Sequence, residues 1–251
     1  MIRSLRTELA AAIGFLTRLP VGWLMPRDPQ VDMAQAIWAF PLAGAAIGLF
    51  GGGVFTAAIW VGMPASLCAC WSLTATLLLT GALHEDGLAD MTDGFGGGRD
   101  AVRKLAIMRD SRIGSFGALS LLLSILVRLA ALVALASPGR VLAALVVSGA
   151  LSRAAILVVL VSLPPARMDG LASGMRAASR KAAGVGLALA VALTAWILHG
   201  WITIEVSVFA FLAALIVIRL ARRQVGGHTG DVLGACAVMT ECVVLTCLCA
   251  R

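Results

Sequence analysis

Residues 34–64 contain no charged side chain, and six further runs, at 65–83, 114–136, 141–163, 182–199, 204–218 and 232–250, carry at most one each. A helix needs about 20 mainly apolar residues to cross a hydrocarbon layer roughly 30 Å thick. It is also one of the few structures that satisfies its own backbone hydrogen bonds in lipid. The runs therefore predict an all-α, polytopic integral membrane bundle of about seven transmembrane helices. Pro41 and Gly51-Gly52-Gly53 interrupt the first run. At 1.5 Å per residue it is still too short for two crossings, so it reads as one tilted or bent span. The run 204–218 is short, and its start is the least defined. Composition agrees: 60% of the 251 residues are apolar and 13% charged, against about 45–50% and about 25% in soluble domains. That balance argues against a soluble enzyme, a disordered chain or a nucleic-acid-binding domain.

The basic residues fix an expected orientation. With the N-terminus in the cytoplasm, Arg3, Arg6, Arg18, Arg27, Arg99, Arg103, Lys104, Arg109, Arg112, Arg167, Arg176, Arg180, Lys181, Arg219, Arg222 and Arg223 all fall on cytoplasmic segments. These are 16 of the 20 Lys and Arg residues, the asymmetry expected of positive-inside topology. Only Arg140 and Arg251 fall on the other side, while Arg128 and Arg153 lie within spans. The net charge of +7 thus needs no nucleic-acid partner. Leu5, Leu9, Ile13 and Leu16 recur at helical spacing among Arg3, Arg6 and Glu8. Residues 1–30 therefore predict an interfacial helix rather than a span or a cleaved signal peptide. The six cysteines lie in apolar runs without metal-ligand spacing and read as inert thiols.

Six of the 13 acidic residues, Glu85, Asp86, Asp90, Asp93, Asp100 and Asp110, sit between positions 85 and 110. Asp86, Asp90 and Asp93 share one face of a helix. Three crowded carboxylates repel one another, and a divalent cation offsets this directly; hard oxygen donors beside substrate phosphates suit Mg²⁺. The bland alternative is a solvated helix end neutralised by the basic residues that follow. Gly96 and Gly97 belong to a glycine run in which bare backbone can approach a phosphate. Residues 84–113 thus predict a cytoplasmic, acidic and glycine-rich active-site loop in a single membrane-embedded domain spanning 1–251. Arg109 and Arg112 flank Ser111 and can grip diphosphate oxygens, or simply flank the third span. Thr229 and Asp231 form a second polar cluster on the same side. Glu241, buried in the last span, calls for a cationic partner, Arg128 or Arg153.

Several segments carry a resemblance: Phe15-Leu16-Thr17-Arg18-Leu19-Pro20, Phe40-Pro41-Leu42, residues 84–98, Asp110-Ser111-Arg112-Ile113-Gly114, Ala166-Arg167-x-Asp169-Gly170-Leu171 and Gly230-Asp231-Val232-Leu233-Gly234-Ala235. Together, and in this order, they resemble the cobalamin synthase family of adenosylcobinamide-GDP ribazoletransferases along essentially the whole chain. Glu85 and His228 depart from the family pattern, where shorter, apolar or small residues are commoner. The resemblance implies a Mg²⁺-dependent phosphotransferase in a bacterial inner membrane, with its site on the cytoplasmic face. It would join adenosylcobinamide-GDP to α-ribazole or α-ribazole 5′-phosphate and release GMP. In that setting Asp86, Asp90 and Asp93 are the expected metal ligands, and Asp231, with Asp93, the expected catalytic carboxylates. Arg109, Ser111, Arg112, Gly96, Gly97, Thr229 and Arg153 are expected to bind substrate. The partners implied are the two substrates and the lipid bilayer, with a homo-oligomer left open.

Two other classes fit less well. A cation or corrinoid transporter usually holds its site near the bilayer midplane between related halves, whereas these acids gather at a boundary and no convincing inverted repeat is visible. A CDP-alcohol phosphotransferase shares part of Asp86-Gly87-Leu88-Ala89. It would want an upstream Asp where Leu83 stands and an Arg where Asp90 stands.

Overall fold

The computed structural model describes residues 5–25, 31–167, 175 and 178–250. All its named elements are helical: α1 (Leu5–Leu16), α2 (Met33–Ala36), α3 (Phe40–Trp60), α4 (Ala65–Thr80), α5 (Leu83–Gly97), α6 (Ala101–Ile107), α7 (Ser115–Leu135), α8 (Pro138–Ser162), α9 (Arg180–Leu198), α10 (Gly200–Val225) and α11 (Gly230–Cys249), with 3-10 turns at Val21–Leu24 and Ile37–Ala39. Six of these stretches are long and apolar enough to cross a membrane, and the pair α4–α5, bent by 87°, brings the count to seven if it is taken as one broken span. Pro41 occupies the first turn of α3, where no backbone N–H is missed, so the first span is one helix. The short sixth run extends into a 26-residue helix, α10.

α8 is the central post, and α3 runs antiparallel against it. Gly44, Gly48 and Gly52 recur every fourth residue; a Cβ at Gly44 would stand 2.1 Å from the Gly149 carbonyl oxygen, and one at Gly48 2.0 Å from that of Leu145. These glycines serve the close approach of α3 to α8. α4 behaves differently. Gly81 (φ 66°) and Ala82 (φ 54°) both take left-handed backbone, and the chain turns by 87° into α5. The segment expected as a loop over 84–113 is accordingly two helices, α5 and α6, joined by a short turn in which Asp100 caps α6.

Cross-links place one set of helix ends together. Arg18 N–H donates to the Leu79 carbonyl (2.8 Å), Ser179 N–H to that of Ala34 (3.0 Å), Ala166 N–H to that of His228 (2.8 Å) and His228 N–H to that of Pro164 (2.8 Å). Lys104 reaches Gln224. Arg18, Lys104 and Arg167 stand at this end, whereas Arg128 and Arg153 lie inside the bundle and Arg140 at the opposite end of α8. Arg3, Arg27, Arg176 and Arg251 lie outside the described residues, as do Asp169, Gly170 and Leu171. α1 buries Glu8, Ala10, Ala11, Ala12 and Leu16, and Glu8 accepts from Trp38 Nε1 at 2.6 Å. One side of this helix is therefore held by protein, and the helix walls the cavity described next.

Candidate active site

At the basic end, α5 crosses the start of α11 so closely that a Cβ on Gly87 would lie 2.9 Å from the Asp231 carbonyl oxygen. Gly234 approaches His84 in the same way, 3.0 Å from its carbonyl. Two acidic segments separated by more than a hundred residues thereby meet. Beside them is a cavity of about 240 Å³ lined by His84, Asp86, Gly87, Arg167, Gly230 and Asp231, with Phe15, Leu16, Phe40, Ile156, Met175 and Leu233 among its apolar neighbours. Asp90 lies one turn beyond Asp86, within the field of Asp86, Asp93, Asp231 and Arg167. Arg167 Nη2 donates to Asp231 Oδ2 at 3.1 Å, and Thr229 Oγ1 lies 3.1 Å from the same oxygen. Arg167 Nη1 is buried without a hydrogen-bond partner among the described residues. The first turn of α11 presents its free backbone N–H groups at this edge, a natural seat for an anion.

Other expected site residues do different work. Asp93 accepts from Gly114 N–H (2.7 Å) and Gly117 N–H (2.8 Å) through separate oxygens, so it ties α5 to the start of α7. Arg112 is exposed and closes a 2.6 Å ion pair onto Asp110. Hydrogen bonds from Arg112 hold the Asp110 carboxyl down at about 2. Neither Arg112 nor Ser111 nor Arg109 lines the cavity. Gly96 and Gly97 stand at the end of α5 rather than in a loop, and a Cβ on Gly96 would meet the Phe116 ring at 2.6 Å. Thr229 caps α11, its Oγ1 accepting from Val232 N–H at 3.2 Å. His228, next to it, is buried, and that burial lowers its imidazole below the ordinary value.

Arg153 belongs to a second, deeper cluster. Arg128 Nη1 donates to Glu85 (2.7 Å) and lies 3.6 Å from Glu241, whose other oxygen is 3.5 Å from Arg153 Nη1. Glu241 therefore has both of its expected partners, and Glu85 is a fourth member of the cluster that the sequence did not suggest. Arg153 Nη2 stands 3.4 Å from His84 Nδ1. Because a guanidinium only donates, that ring nitrogen is the acceptor.

Residues 8–249 match the family described as cobalamin-5-phosphate synthase, CobS. The chain belongs to the CobS family. Adenosylcobinamide-GDP ribazoletransferase of Bradyrhizobium diazoefficiens is 41% identical over 97% of this chain and 94% of its own. The proteins of the same name from Azorhizobium caulinodans and Sinorhizobium medicae are each 43% identical, over 95% and 98% of this chain and 93% and 97% of theirs. No solved structure matches.

For a CobS-family site the expected metal ligands are Asp86, Asp90 and Asp93. Among the described residues no three His, Cys, Asp or Glu side chains are grouped so as to hold a metal ion. Each Asp93 oxygen accepts an α7-end amide. Asp86, exposed and lining the cavity, and Asp90, half-buried one helical turn further along α5, remain. A carboxylate pair of this kind suits Mg²⁺ completed by water and substrate phosphates rather than by a protein cage. Arg167 is the site residue that sequence reasoning passed over. It stands in a segment carrying the family resemblance, yet an arginine after an apolar run usually signifies only a charged flank.

Proposed function

We propose that this chain transfers the adenosylcobinamide phosphoryl group of adenosylcobinamide-GDP to a hydroxyl of α-ribazole or its 5′-phosphate, releasing GMP. A bond forms between the hydroxyl oxygen and phosphorus as the P–O–P bridge breaks, and GMP departs with the bridging oxygen. The main support is Arg167 Nη1, a buried cationic donor without a partner among the described residues, beside the α11 N-terminus and the α5 carboxylates. A diphosphate supplies the acceptor that this donor lacks, and bidentate contact is the strength of arginine.

In this reading Asp86 and Asp90 hold Mg²⁺ jointly with the substrate phosphates. The ion supplies neutralisation of the charge that develops on the leaving group. Arg167 and the first α11 amides orient the diphosphate, and such positioning accounts for most of phosphoryl-transfer catalysis. Asp231 is engaged by Arg167 and Thr229 through Oδ2, so Oδ1 is the oxygen assigned to take the hydroxyl proton. Asp93 acts indirectly, by fixing α5 to α7. The basic end carrying the cavity faces the cytoplasm of a bacterial inner membrane, N-terminus inside, in keeping with positive-inside topology.

The test is full-length protein in detergent, with adenosylcobinamide-GDP, Mg²⁺ and either acceptor, read by GMP release and the mass of the corrinoid product. Joined corrinoid with one acceptor is expected, lost on chelation and restored by Mg²⁺. Absence of product with both acceptors overturns the assignment, and undiminished turnover after chelation overturns the metal role.

A further inference from the structure

Two arginines, a glutamate and a histidine buried inside an apolar bundle, with the half-buried Glu241 beside them, need a cause, because ionisable groups at that depth are costly unless paired. Pairing alone leaves a remainder here. Arg128 Nη2 and Arg153 Nε are buried without partners among the described residues. They border a cavity of about 30 Å³ lined also by Glu85, Glu241 and His84, which has room for roughly one or two waters. His84 lines this inner cavity and the outer 240 Å³ cavity as well. It is the link between the two clusters.

The chemistry of the contacts dictates the state of that ring. Arg153 has only donors, so His84 Nδ1, 3.4 Å from Arg153 Nη2, must be unprotonated and accepting. The ring is then neutral and its hydrogen resides on Nε2. With Nδ1 turned to Arg153, Nε2 is the ring nitrogen left to serve the outer cavity, which His84 lines together with Asp86, Arg167 and Asp231.

We infer that His84 is a catalytic residue of the proposed transferase, a neutral imidazole whose Nε2–H donates to an oxygen of the transferring phosphoryl group. Arg153, steered by Glu241, is a positioning residue that fixes the tautomer. Glu85 and Arg128 hold the first turn of α5 at the correct depth. This arrangement rests on the transferase reading, but half of its test does not.

That half is spectroscopic. The chain has three histidines, so comparison with His84→Gln assigns the His84 nitrogens in a ¹⁵N-labelled protein in detergent. At pH 7.5 we expect Nδ1 unprotonated and Nε2 protonated. Arg153→Met mixes the tautomers, whereas Arg153→Lys, which still donates, preserves them. A wild-type ring protonated at Nδ1 overturns the inference whatever the enzyme does. The kinetic half compares two amides. Glutamine places an N–H near the Nε2 position and asparagine near Nδ1. His84→Gln should retain kcat within about tenfold, and His84→Asn should lose about 100-fold with little change in KM, the scale of one transition-state donor. Equal activity of both variants, at wild-type or at negligible levels with unfolding temperatures unchanged, also overturns it.

Discussion

Glu85 and Asp86 are neighbours in sequence, yet they belong to electrostatic regions with opposite logic. One helical step of about 100° sends Glu85 inward and Asp86 to the cavity. The inner cluster sets two carboxylates against two guanidiniums, and it is sealed: Arg128 is 2% exposed. The outer cluster sets Asp86, Asp90 and Asp231 against Arg167, and Asp86 is exposed. Burial enforces balance, because an uncompensated charge in low dielectric is costly. A surplus of negative charge persists only where water, or a cation arriving with substrate, can reach it. Imbalance rather than charge density therefore distinguishes the working site from the scaffold.

The comparison breaks most visibly at Asp90. Asp90→Asn removes one carboxylate of the outer cluster, and GMP release should fall about 100- to 1,000-fold, while thermal unfolding stays unchanged or moves upward as repulsion is relieved. A parallel fall in unfolding temperature would place Asp90 in the scaffold instead. The inner cluster should respond in the opposite sense. Arg128→Met strands Glu85 and part of Glu241, at a cost of about 3–5 kcal/mol, seen as lost folded yield or a large drop in unfolding temperature. The double change Arg128→Met with Glu85→Gln should recover part of it.

Gly87 joins the two regions. Gly87→Ala puts a Cβ against the Asp231 backbone, and overpacking of this kind costs about 1–3 kcal/mol. Activity should fall with stability, because α5 and α11 are forced apart; an unaltered KM and kcat would show that the crossing tolerates the methyl. Asp93→Asn should cost about 1 kcal/mol, in the range of a lost helix cap. Its effect on apparent Mg²⁺ affinity should be slight, and a large shift in the Mg²⁺ titration would restore Asp93 to the metal site. Smallest of all, Arg112→Ala should leave turnover within about twofold, since exposed ion pairs contribute little. Asp110 titrates at about 2, so loss of this pair needs strong acid and adds no limb to an activity profile between pH 5 and 9.

Much was legible before any coordinates. Run lengths gave the spans, and basic residues marked one end of the bundle. A lone Glu241 demanded Arg128 or Arg153, because hydrocarbon offers a carboxylate no other partner. Legibility failed where two helices had to meet before a residue acquired its role. Asp93 has the same spacing as Asp86 and Asp90, but only the arrival of α7 turns it into an amide acceptor. Gly96 looks like a phosphate loop until Phe116 packs on it. Arg112 seemed aimed at phosphate, yet Asp110 is two residues away and local pairing prevails.

The sequence by itself determined that this chain is a helical membrane bundle of the CobS family with surplus acid near one boundary. Those properties depend on composition, order and spacing, which act locally or through the lipid. Tertiary structure alone decided which acids stay open, that Arg167 faces them, and that His84 stands between a balanced interior and an unbalanced cavity. Charge–charge energies depend on distance and burial, and both are set only when α5, α7, α8 and α11 close on one another.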